Sequence, residues 1–200
     1  MNGDFEKART LYRRARSLLH DLGQSVRVAS TGLDVIAVEL LAGDLAAAER
    51  EARADYEFLE QQGETYFLAT MAALLGRVVR DQGRDDEALA FTQTAERFAA
   101  EDDLDAQVFW RTVRAPILAR AGRRQEAESL AAKALELARK TEYLALQADA
   151  LFESAVVWHV NGQPDQSRTA LADACHLYRL KGDSVSLKRA EDWGYRSLAR

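Results

Sequence analysis

The chain holds one cysteine and two prolines in 200 residues. Each scarcity excludes something. Cys175 stands alone, so no disulfide can form within the chain, and a Cys-rich zinc module is excluded with it. The two prolines, Pro116 and Pro164, both fall late, which leaves room for long uninterrupted helices. Neither charge dominates. There are 27 basic residues against 32 acidic ones, a net charge of −5 and a pI near 5.3. That balance argues against a nucleic-acid partner, which needs a basic footprint. No long hydrophobic run occurs either. The longest mainly apolar stretch, Leu33 to Ala42, is interrupted by Asp34 and Glu39. It falls far short of the ~20 apolar residues of a membrane span. The first residues, Met-Asn-Gly-Asp-Phe-Glu-Lys-Ala, lack the basic and apolar regions of a secretory signal. A cytoplasmic protein without a membrane partner is expected. What is present is apolar material, 48% of residues and rich in alanine, enough to bury a core.

A phrase recurs along the chain: a Gly, then polar residues, then a small residue opening a helical run. It begins at Gly3, Gly43, Gly83, Gly122 and Gly162, with gaps of 40, 40, 39 and 40 residues. A second mark lies about halfway through each period, at Gly23, Gly63, Asp102/Asp103, Thr141 and Gly182. Each period is therefore a pair of helices of about 27 Å each. A Gly can end one helix in the left-handed region, and a nearby Asp can cap the next. Pro164 suits a first helical turn. Between the marks the apolar spacing is helical, as in Leu11, Ala15, Leu18, Leu19 and Leu22, or Leu130, Ala134, Leu137 and Ala138. No strand-like alternation of useful length is visible.

Small residues hold a constant register: Gly76, Gly83, Ala88 and Ala95; Ala115, Gly122, Ala127 and Ala134; Ala155, Gly162, Ser167 and Ala174. This resembles the tetratricopeptide motif, where small residues allow close helix–helix approach. The pair around Gly43 departs from it, with Ile36 and Asp55 at two small positions. The expected fold is all-α, a tetratricopeptide-like α-α superhelix (solenoid) of about ten antiparallel helices with a period near 40. A half repeat at 4–21 precedes helix pairs at 24–62, 64–101, 103–140 and 142–181, and a terminal helix covers 183–199. Together they form one repeat domain, 1–200. Solenoids normally carry complete repeats and polar caps. Beginning with a second helix and ending with a first one therefore implies a fragment of a longer protein.

The stretch from Asp102 to Ala127 carries Gln107, Trp110-Arg111, Arg114-Ala115 and Leu118-Ala119-Arg120. Upstream stand Gly63-Glu64, Tyr66 and Ala73-Leu74-Leu75; downstream stand Ala148-Asp149-Ala150-Leu151, Leu177-Tyr178 and Lys181-Gly182. In these residues the chain resembles the C-terminal repeat region of large bacterial signalling ATPases. Those proteins carry an adenylate/guanylate cyclase-type domain and an AAA-type ATPase domain upstream. Pro116 departs from the pattern; it removes an i→i−4 hydrogen bond and favours a kink. The resemblance transfers no catalytic residue, because the cyclase and ATPase motifs lie outside the chain. No Gly-x-x-x-x-Gly-Lys-Ser/Thr loop occurs.

Candidate chemistry is sparse. His20, His159 and His176 lack the i, i+4 spacing of a helical zinc pair, so no metal or cofactor is expected. Cys175 sits mid-helix beside Ala174, and burial is expected rather than nucleophilic reactivity. The acidic runs Asp85-Asp86-Glu87 and Glu101-Asp102-Asp103 suit helix starts. First helices line the concave face of such superhelices. Counted from the small residue, Arg77, Arg80, Phe109, Arg120, Phe152 and His159 fall at groove-facing positions. They could receive an acidic peptide or a phosphate-bearing ligand. For Arg77, Arg80 and Arg120 a solvated face is an equal reading. Arg111 and Arg114 occupy helix-facing positions, where ion pairs with acids such as Asp149 or Glu153 are expected. The function expected is therefore non-catalytic: a protein–protein interaction and sensing module regulating linked ATPase or cyclase domains. A partner peptide or the protein's own upstream domains would occupy the concave face. The alternative is the sensor solenoid of a large ATP-dependent transcriptional activator, although no helix-turn-helix is visible. The bare terminal helices also leave a homodimer open.

Overall fold

A computed structural model describes residues 3–198. Among them are ten α-helices and no strand. They are α1 (Phe5–Asp21), α2 (Ser25–Ala42), α3 (Leu45–Gln61), α4 (Tyr66–Asp81) and α5 (Asp85–Phe98). Then come α6 (Leu104–Arg120), α7 (Arg124–Ala138), α8 (Leu144–Val160), α9 (Pro164–Lys181) and α10 (Ser184–Leu198). The expected all-α array of about ten helices is present, and its boundaries follow the punctuation in the sequence. Of the terminal helix expected over 183–199, residue 199 lies outside the described residues. Among the described residues no helix is long and apolar enough to cross a membrane.

Local chemistry explains the boundaries. Asp4, Asp44 and Asp103 each accept a hydrogen bond from the backbone N–H three residues on, at 3.3, 2.9 and 3.1 Å. Each satisfies one orphan donor of a first helical turn. Helix α2 ends on Gly43 at φ 78° and α9 on Gly182 at φ 72°. That left-handed conformation costs a Cβ-bearing residue about 1 kcal/mol or more. Pro164 occupies the first turn of α9. Asp85, Asp86 and Glu87 occupy the first turn of α5, where they complement the helix dipole.

The chain forms two compact units, Gly3–Ala100 and Glu101 onward. In the first, α1 packs on α2, α2 on α3, and α4 on α2, α3 and α5. From Leu68 to Val79 only Arg77 escapes burial, so α4 is apolar on nearly every side. Small residues stand where helices meet. A methyl placed on Gly76 would lie 3.3 Å from the Ala88 carbonyl and 3.4 Å from the Phe91 Cβ. Ala48, Ala88 and Ala95 are fully buried.

In the second unit α8 is central and packs against α6, α7, α9 and α10. Val108, Ala134, Leu137, Leu146 and Ala150 form one core cluster; Ala148, Phe152, Ala174, Cys175, Tyr178 and Ala190 form another. Ser167 Oγ donates to the Ala155 carbonyl at 2.7 Å, so a second-helix hydroxyl satisfies its own polar atom at the point of closest approach. Pro116 is buried within α6, which continues to Arg120.

Candidate interaction surface

The six residues expected to line a groove have different fates. On α4, Arg77 is half-buried. Arg80 keeps only 9% of its side chain exposed and pairs with Asp81 at 2.9 Å. On α6, Arg120 is exposed, whereas Phe109 packs partly buried against the cluster of Val108, Leu146 and Ala150. On α8, Phe152 is buried at 7% exposure in a core cluster, and His159 is half-buried. Phe152 is thus core rather than groove lining, because Trp193 of α10 lies against it.

Trp193 is the residue that spacing alone did not single out. Its ring meets Phe152 edge-on at 5.6 Å and His159 edge-on at 5.7 Å. Such pairs add about 0.5–1.5 kcal/mol beyond the area they bury. The Arg189 guanidinium lies 5.0 Å over the Phe152 ring and 3.6 Å from Asp149. Asp149 also accepts a short hydrogen bond from the Tyr178 hydroxyl, and Tyr178 is fully buried. The first-helix positions of α8 and α10 therefore converge on an aromatic patch with one cation and one anion beside it. Counted from the caps Asp103 and Asp183, Trp193 shares its register position with the buried Val113 two periods earlier, and spacing marked it no further.

Arg111 and Arg114 lie over the Trp110 ring at 4.0 and 4.4 Å. Arg111 also donates to the Gln107 carbonyl at 2.7 Å and to Gln107 Oε1 at 2.5 Å. Trp110 is only 2% exposed, so these arginines hold a buried ring.

The charged residues of the first unit form a lattice between helices. Arg53 pairs with Glu49 at 2.8 Å and with Glu87; Arg84 pairs with Glu49 at 2.6 Å and with Glu87 at 3.0 Å. The four alternate in sign around a ring joining α3 to α5. The Arg84 hydrogen bond, helped by Arg53, holds the Glu49 carboxyl down at about 2. Arg9 reaches Glu39 of α2 with two bonds, at 2.8 and 2.5 Å. Arg16 reaches Glu51 at 2.7 Å and Asp55 at 2.5 Å, both on α3.

Asp55 stands where the other second helices carry alanine, and the space it needs comes from Gly32. A Cβ at Gly32 would lie 1.8 Å from Asp55 Oδ2. That oxygen is buried and makes no hydrogen bond. Burial pushes the Asp55 carboxyl up to about 6 and Glu51 adds to it, while Arg16 opposes both.

Cys175 is buried, and desolvation raises its thiol above the ordinary range. Among the described residues no three His, Cys, Asp or Glu side chains gather to hold a metal ion. No protein-family model matches the chain, and no curated protein matches it.

Proposed function

We propose that the chain is a non-catalytic protein–protein interaction and sensing module of tetratricopeptide type. Its first-helix side would present the recognition surface, and its binding would be coupled to signalling ATPase or cyclase domains of a bacterial protein. The observation that carries this reading is the constant register of small residues at the contacts between paired helices. Gly76 lies against Ala88 and Phe91, and Ala155 lies against Ser167. An array assembled this way offers a preformed surface. On the second unit the exposed Arg120, the half-buried His159 and Trp193, and Arg189 supply cationic and aromatic groups suited to an acidic peptide.

The test is binding of short acidic and basic peptides to the chain, beside an Arg120→Glu/His159→Glu variant. Acidic peptides should bind preferentially. The variant should lose that binding by roughly tenfold or more, the scale of one or two charge-assisted contacts, while an Arg120→Glu variant, which keeps the His159–Trp193 contact, loses part of it with little change in melting temperature. Equal binding of basic peptides, or an undiminished variant, would refute the reading.

A further inference from the structure

Three helices of the second unit each turn one stripe toward a common gap. Helices α7 and α9 both pack on α8, and above α8 they leave a cleft of about 350 Å³. Leu135 and Arg139 line it from α7, Leu151 and Trp158 from α8, and Ala170 and Asp173 from α9. Within each helix the two residues are three, four or seven apart, so they share a face. The four apolar residues form a floor: Leu135 and Ala170 are buried, Leu151 and Trp158 half-buried. Arg139 and Asp173 are exposed at the rim. Their side chains form no ion pair with each other or with any other described residue. The cleft's other acid, Asp165, is already engaged by Arg168 at 2.9 Å.

The first unit shows what fills the matching place there. Tyr56 of α3 and Phe91 of α5 meet edge-on, with ring centroids 5.6 Å apart. The Tyr56 hydroxyl donates to Glu60 at 3.1 Å, with Thr94 beside it. Leu135 follows Gly122 as Tyr56 follows Gly43, and Ala170 follows Gly162 as Phe91 follows Gly83. The same count brings Arg139 and Asp173 to the places of Glu60 and Thr94. Two rings and a hydroxyl thus close the gap in the first unit. In the second unit the ring positions carry Leu and Ala, and two opposite charges stand where the hydroxyl was held.

We propose that this cleft binds a free α-amino acid with a large apolar side chain. The side chain takes the space that Tyr56 and Phe91 fill in the first unit, against Leu151 and Trp158. The carboxylate of the ligand meets the Arg139 guanidinium, and its ammonium meets the Asp173 carboxylate. A zwitterion carries both charges on one carbon, so it bridges two opposite rim charges that form no pair of their own. A ligand of one sign would set a like charge against one side of the rim. The cavity has the size of a small-molecule site. None of its residues belongs to the proposed peptide surface, so the two readings stand or fall separately.

Isothermal titration calorimetry of the intact chain with L-phenylalanine tests this. Binding should saturate with a Kd of about 0.05–1 mM, the scale for so small a ligand. N-acetylphenylalanine lacks the ammonium and phenylalaninamide lacks the carboxylate; each should bind roughly tenfold more weakly or worse. Arg139→Gln should weaken phenylalanine binding by a similar factor and no longer distinguish phenylalanine from its amide. Asp173→Asn should no longer distinguish it from the acetylated form. Both side chains are exposed, so neither change should move the melting temperature. Ala170→Phe restores the ring that Phe91 supplies in the first unit, and it should abolish binding while the protein stays folded. If that variant fails to fold, the two rim variants decide the matter. No saturable binding of phenylalanine at about 10 mM would overturn the proposal. Equal binding of the amide or the acetylated form by the parent chain, or a folded Ala170→Phe variant that still binds, would overturn it too.

Discussion

Replacing Asp55 with Asn should stabilise the protein at neutral pH, even though Asp55 is ion-paired. The pair with Arg16 is short, at 2.5 Å, but the carboxylate is buried, and its second oxygen makes no hydrogen bond. Arg16 is also shared with Glu51, 2.7 Å away. Desolvation therefore outweighs attraction, as it often does for buried charges. The carboxyl titrates near 6 in the fold against 3.8 ordinarily. The sign follows from proton binding. Between these two values the folded state holds more protons, so this group's contribution to stability falls as pH rises from 3.8 to about 6 and is flat above. About two units at 1.36 kcal/mol each makes the charged form cost ~3 kcal/mol at pH 7 and about half that at pH 5. Asn keeps the shape and an acceptor for Arg16 without the charge. Urea denaturation of Asp55→Asn beside the parent at pH 7.5, 6 and 5 should show the variant more stable by up to ~3 kcal/mol at the highest pH. The gap should narrow toward acid. A variant that is less stable at pH 7.5 would show that the ion pair dominates. A gap independent of pH would show that Asp55 does not titrate in this range. Either result refutes the reasoning.

Two further predictions rest on the same kind of contact. Gly32→Ala should destabilise by about 1–3 kcal/mol, because its methyl would sit 1.8 Å from Asp55 Oδ2. Adding Asp55→Ala should recover part of that loss, and a double-mutant cycle by denaturation reads the coupling; simple additivity would contradict the swap of bulk between the two sites. Tyr178→Phe should cost about 1–2 kcal/mol by thermal or urea unfolding, since it removes the hydroxyl that Asp149 accepts from inside the second unit. An unchanged stability would mean that Arg189, 3.6 Å from Asp149, compensates fully.

Much of the fold was legible because it is local. The Gly-Asp phrase encodes a helix stop and the next start within a few residues, and Asp4 and Asp44 cap as their positions imply. Alanine at fixed spacing announced which positions lie against a neighbouring helix, and Ala88, Ala127 and Ala174 are fully buried. The candidate surface was less legible. Arg80 and Phe152 share a groove-facing register with Arg120, yet the first pairs with Asp81 and the second is covered by Trp193. Register assigns a face to a residue; it does not say how far an arginine folds back or which ring arrives from a helix about forty residues away.

The sequence by itself determined the helical class, the near-40-residue period and most helix limits, since caps, left-handed glycines and apolar spacing act within a turn or two of the chain. Only the tertiary structure decided that Gly32 makes room for Asp55, that Arg16 follows it into the contact, and that Trp193 gathers Phe152 and His159. Those outcomes depend on side chains meeting across separate helices, where the space one residue vacates sets what another can bury.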